Sequence, residues 1–255
     1  MIKNDKIKEG VILAKEHSEY FLKQSQKLHK EKEFQAAIPF AILSFEEASK
    51  VDHLLNYIKE KKDIEFDDWK ELRYHKFKLT KNEKDSKEDL EDQSDLDFYA
   101  QSLILKSTGL KGIPSRDVAI EIKEKQIETN AKFSKIKEMC FYANWNSGKN
   151  EWDDFNKIPL NEQEALSLFL IYSSKQKLLL AELKIEYFLE NPFTKPSPNP
   201  TSIVEVNQYL IEKTNHSKNL KTTQKMREFD KECNDQKNVE ILQLGYRILC
   251  KCFPN

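Results

Sequence analysis

Glycine is scarce, with only 5 in 255 residues. A large sheet protein with many tight hairpins needs more, and so does a glycine-lined nucleotide fold. Cysteine is scarce too. Four thiols in a chain of this length make no disulfide framework. No His stands at zinc-finger spacing from Cys140, Cys233, Cys250 or Cys252, so these read as ordinary buried or half-buried thiols. Neither sign of charge dominates: 42 Lys and Arg face 43 Asp and Glu. That balance removes the simplest argument for a nucleic-acid partner, a strongly basic chain. Long apolar runs are missing as well. Leu168 to Tyr172 is the most continuous one, far short of the roughly 20 residues that span a bilayer. The polar start, Met1-Ile2-Lys3-Asn4-Asp5-Lys6, lacks the apolar core of a signal peptide. Together these absences predict a cytoplasmic protein with no membrane partner, no metal and no cofactor.

What is present is helical periodicity along most of the chain. Ile7, Val11, Ala14, Tyr20, Phe21 and Leu28 recur at helical steps and predict one long helix. A break follows at Lys30 to Lys32. A second helix is predicted from Glu33 to Lys61, with the stripe Phe34, Ala37, Ile38, Ala41, Phe45, Ala48 and Leu55. Pro39 lies inside it and predicts a kink or a late start. Two long antiparallel helices with a short connection form an αα-hairpin. Phe66 to Leu79 reads as a third helix with apolar residues on two sides, as if packed against two things.

Eight acids and three lysines crowd Lys81 to Asp97. This composition predicts a solvated acidic insert over 80–98. The net charge is therefore a sum over unequal segments, and a local cationic site stays allowed. A helix is expected from Ser115 to Lys137. Met139 to Ile158 is the least helical stretch: an extended piece, a turn and an aromatic-rich return. Asn161 and Glu164 have capping-box spacing. They open a helix striped by Ala165, Leu168, Phe169, Tyr172, Leu179, Leu180, Leu183 and Tyr187. Asn191-Pro192 ends it, and Pro196, Pro198 and Pro200 stiffen a linker. The fold class is thus all-α: a helical bundle over 1–190, a linker over 191–200 and a C-terminal helical region over 201–255.

Phosphate loops, paired metal-binding histidines and the nucleophile elbow are absent. Two clusters of polar side chains remain. His75 and Lys78 are i,i+3 neighbours on the third segment and can meet one target. An imidazole takes the proton of a 2′-hydroxyl near neutral pH, and an ammonium stabilises the phosphorane that follows. Arg73 lies about 160° round that helix, by its 100° step, and shares the target only where the helix is broken. On the second helix, Glu46, Glu47 and Lys50 make i,i+4 and i,i+3 pairs, which as surface salt bridges contribute little. Asp52 falls within the apolar stripe beside Phe45 and Ala48. It is either buried with a partner or brought outward by drift past Pro39. His29 and His216 look exposed, while His17 and His53 lie on helices.

These features resemble one family in their order and spacing. The run Ala36-Ala37-Ile38-Pro39-Phe40-Ala41-Ile42-Leu43-Ser44-Phe45-Glu46-Glu47-Ala48-Ser49-Lys50 resembles the A-x-x-x-A-x-x-x-x-E-E-x-x-K helix of AbiV-type abortive-infection proteins. Trp69, then His75, Lys78 and Leu79, continue the match. So does the lysine-rich helix running into Cys140-Phe141-Tyr142-Ala143-Asn144-Trp145, followed by Trp152 and Pro159. The resemblance covers about Asp5 to Glu190. It implies a HEPN-like helical bundle of a kind that often dimerises. It also implies a metal-independent ribonuclease that acts in phage defence, with RNA as substrate, a phage-encoded trigger and a homodimer. The usual R-x4-6-H pair of that superfamily is missing, because none of Arg73, Arg116, Arg227 and Arg247 has a His at that spacing. The family's own polar positions stand in for it. His75, Lys78 and Glu47 are the catalytic candidates, and Lys50 and Arg73 the phosphate ligands. Glu46, Asp52 and Tyr142 support them. Two other readings compete. One is a non-enzymatic adaptor for a phage or ribosomal partner, in which Glu46, Glu47, Lys50 and His75 form a buried polar network. The other is a bundle that binds nucleotide without cleaving it.

Overall fold

The computed structural model describes residues 1–73, 132–142, 145–146, 151–152, 154–186, 189, 221–233 and 235–252. They form an all-helical bundle with one very short hairpin. The acidic insert and the proline-rich linker lie outside the described residues.

α1 (Asn4–Lys30) and α2 (Phe34–Glu60) form the expected antiparallel hairpin. The turn between them places Lys32 at φ 64, a left-handed conformation that glycine usually fills. Lys3, at the N-cap of α1, has no side chain suited to capping. Asp63 serves instead from beyond α2, its carboxylate accepting from the Asn4 backbone N–H at 2.9 Å. The Asn4 side-chain amide donates to the carbonyls of Tyr57 and Lys62, and Ile2 bridges to Ile64, which ties the two ends together.

Every member of the predicted α2 stripe is buried. The helix begins at Phe34 and runs through Pro39, so the expected late start does not occur. The α1 stripe departs from expectation in its second half. Ile7, Val11 and Ala14 are buried as predicted, but the buried line then continues through Ser18, Leu22 and Ser25. Tyr20 is exposed, and Phe21 and Leu28 only half-buried. The physical reason is that Ser18 and Ser25 donate to carbonyls of α2, which lets two helix backbones approach where larger side chains would hold them apart.

α3 covers Phe66–Arg73. Its Trp69 packs against the core, whereas Phe66 is exposed. The helical segment 132–141 is α4. Phe133, Ile136 and Cys140 form its buried stripe, and Phe133 meets Phe45 of α2 edge-on at 5.2 Å. α4 runs on to Phe141, past the expected start of the irregular stretch at Met139, and a short hairpin follows, with β1 (Trp145–Asn146) antiparallel to β2 (Glu151–Trp152).

α5 covers Leu160–Ile185 and starts two residues earlier than its capping-box reading. Pro159 stands at the N-cap without a side-chain bond, so Asn161 lies inside the first turn. Proline's fixed φ suits the entry to a helix. One buried line of α5 is Leu166, Leu170, Ser174 and Leu178, and of the predicted stripe Ala165 and Leu179 are buried too. The predicted residues up to Leu183 lie on its other side, and Tyr187 lies outside the described residues. Phe169 meets Tyr246, and Tyr172 meets Phe229. α5 is thus apolar on two sides because it is central, with α1 and α2 before it and the C-terminal helices behind. Those are α6 (Lys221–Cys233) and α7 (Gln236–Cys252). Ile248 and Leu249 of α7 enter the same core as Ile7, Phe45 and Phe133. At Gly245 the approach is so close that an added Cβ would lie 2.4 Å from the Ala165 carbonyl oxygen.

Candidate functional site

The middle of α2 carries four of the candidate residues, and the helix turns them to different neighbours. Glu46 is fully buried, contrary to the surface salt-bridge reading. Its carboxylate accepts directly from the Lys137 ammonium of α4, which is itself buried. Sequence reasoning missed Lys137. The signal was present: it stands four residues after Phe133 and three before Cys140, a lysine inside an apolar stripe.

Glu47 and Lys50 keep the expected i,i+3 relation at the edge of the core. The Lys50 Nζ stands 3.5 Å from the Glu47 Oε2, with side-chain exposures of 19% and 12%. The ammonium also lies over the Trp69 ring, 5.6 Å from its centroid. A cation held over an indole face is attracted by the ring's quadrupole. This contact joins α3 to the α2 site, and Trp69 was not among the expected site residues. Lys50 is therefore a positioned cation that remains partly open to solvent.

Asp52 belongs to a second cluster. By the 100° helical step it points about 120° away from Glu46. There it accepts from Lys177 at 2.5 Å and Lys184 at 3.0 Å, both on α5. Burial pushes its carboxyl up. The two ammonium groups outweigh that and hold it well below the ordinary carboxylate range. Of the two readings open for Asp52, the one with a partner is nearer the observation: it is paired to two lysines but only half-buried.

Arg73 is the last described residue of α3, and its side chain is outside the described set, as are His75 and Lys78. Tyr142 follows α4. It is exposed, with its ring beside Phe141 and its backbone N–H on the Glu138 carbonyl. The structure thus brings together Glu46, Glu47 and Lys50 with Trp69 and Lys137, and sets Asp52 and Tyr142 apart. His29 departs from its exposed reading. It is half-buried, packs on Phe34 and shares a hydrogen bond of 3.1 Å with the Ser167 hydroxyl of α5. Cys140 is buried among apolar groups, which pushes its thiol up and leaves it inert. Among the described residues, no group of three or more His, Cys, Asp or Glu could hold a metal ion. Among them too, no helix is long and apolar enough to cross a membrane.

The AbiV family model of the HEPN group matches residues 6–163, which span α1 to α4, the hairpin and the start of α5. The chain belongs to the AbiV family. Neither the curated proteins nor the solved structures gave a match. In AbiV terms, the E-E-x-x-K run is the part of α2 that meets α3 and α4. The abortive-infection, HEPN-like role follows from membership. The AbiV match stops four residues into α5, so most of that helix and both C-terminal helices lie beyond it.

Proposed function

We propose that this AbiV protein is an anti-phage effector that cleaves RNA without a metal and so arrests growth on infection. The observation that supports the reading is the Lys50 ammonium, fixed between Glu47 and the Trp69 ring yet partly open. In the reaction, His75 takes the proton of a 2′-hydroxyl, and that oxygen attacks the adjacent phosphorus. Lys50 and Lys78 meet the charge of the phosphorane, with Arg73 as a further phosphate ligand and Glu47 orienting the cation. The 5′-oxygen leaves with a proton, giving a 2′,3′-cyclic phosphate and a 5′-hydroxyl end. Pairing of two copies would bring two such faces to one cleft, and a phage product would serve as trigger.

The test is phage challenge of cells expressing the full chain, with plaque counts and mapping of RNA ends. His75→Ala and Lys50→Ala are expected to abolish protection and the new ends while the circular-dichroism melt stays nearly unchanged. Full protection in both variants sinks the reading.

One observation favours a second reading. Glu46 is fully buried and paired, as in a polar network that fixes a bundle. On that reading the protein is an adaptor for a phage or ribosomal partner. Protection without any new RNA ends is its signature.

A further inference from the structure

We infer that Lys137 is a positioning residue for the α2 site. The inference rests on the reading of Glu47 and Lys50 given above and adds a residue to it. Glu46 and Lys137 are both buried, one on α2 and one on α4, and they are bonded directly. Taking two charges out of water is costly, and a well-packed apolar pair of similar volume is often as stable or more so. Stability alone therefore does not explain the pair. What the pair does fix is geometry. Phe45 meets Phe133, and the next residue, Glu46, meets Lys137 one turn further along α4. Two adjacent positions of α2 are thus pinned to two successive turns of α4, which sets both the rotation and the height of α2.

Glu47 follows directly, and Lys50 stands one turn from Glu46 on the same side of the helix. Lys50 is held at the edge of the core by Glu47 and Trp69. Without the pair, α2 loses its register on α4, and Lys50 loses that placement.

The deciding experiment replaces both partners, Glu46→Met with Lys137→Met, in the full chain. It reads the thermal midpoint and plaque reduction beside wild type and Lys50→Ala. The expected result is a midpoint at or above that of wild type with protection down about tenfold or more, the scale that small displacements of a site cost. A folded methionine pair that protects within about twofold of wild type overturns the inference. If that pair unfolds, the exchange Glu46→Lys with Lys137→Glu decides: folded and inactive supports the inference, folded and active overturns it. Unfolding of both double variants also overturns it, because the pair is then a stability element. Loss of protection in Lys50→Ala with retention in the methionine pair refutes this inference alone. Retention in Lys50→Ala refutes the reading of the site beneath it.

Discussion

Ser18 of α1 and Ser44 of α2 exchange hydrogen bonds: each hydroxyl donates to the other's backbone carbonyl, at 2.8 and 2.9 Å, with both residues fully buried. The pair sits where the two long helices lie against each other. Ser44→Ala removes one donor and leaves both carbonyls with their helical partners, so it is expected to cost about 1 kcal/mol. Ser44→Val forces a branched side chain between two backbones and is expected to cost about 1–3 kcal/mol. Urea unfolding midpoints check the order. A valine variant as stable as wild type would show that the helices are not held this closely.

Asp52 is expected to contribute to acid stability. Its carboxyl is depressed in the folded protein by Lys177 and Lys184. The stabilisation is therefore present above the unfolded value of about 3.9 and is lost as pH falls through the lower folded value. Asp52→Asn is expected to lower stability at neutral pH by about 1.5–3 kcal/mol, the range for hydrogen bonds to charged groups. It is also expected to flatten the decline below about pH 4. Chemical unfolding across that range reads both effects, and parallel curves for the two proteins would refute the assignment.

His29 acts in a different window. Burial pushes its imidazole below the ordinary value, and the charge of Glu164 opposes that only in part. Folding therefore favours the neutral ring. The stabilisation is present above the unfolded value of about 6.5 and declines as pH falls below it. His29→Gln is expected to have a flatter profile between about pH 7.5 and 5.5. The measurement is the thermal midpoint against pH, and identical slopes would remove His29 as the cause.

Gly245 marks the close crossing of α7 over α5. A Cβ there would lie 2.6 Å from the Cβ of Phe169 as well as against the Ala165 carbonyl oxygen, and neither is the far end of a flexible side chain. Gly245→Ala is expected to destabilise by about 1–3 kcal/mol, although alanine is the better helix former. Denaturant unfolding tests this. A gain in stability would mean that α7 shifts at little cost.

Apolar periodicity made the α1–α2 hairpin, the α2 stripe, the irregular aromatic stretch and the all-helical class legible. It failed where polar side chains do the packing. Ser18, Ser25 and Ser174 are buried because each hydroxyl finds a carbonyl on α2, and a hydrophobic pattern does not register that. It also failed on α5, where apolar residues all round the helix hid the most buried line. Of the candidate site, Glu47 and Lys50 were legible because their spacing is local to one helix. The partners of Glu46 and Asp52 were not. Lys137, Lys177 and Lys184 come from helices far along the sequence, and only the packing of those helices on α2 selects them.

Ile7 on α1 and Leu249 on α7 are walls of one core. A ribosome that has made α1 to α5 has therefore not yet supplied the residues that close it. Until Leu249 emerges, the helix surfaces that α7 covers stay open to water, and the nascent chain lacks its full packing. Among the described residues, the core is therefore completed only late in synthesis, by side chains of α7.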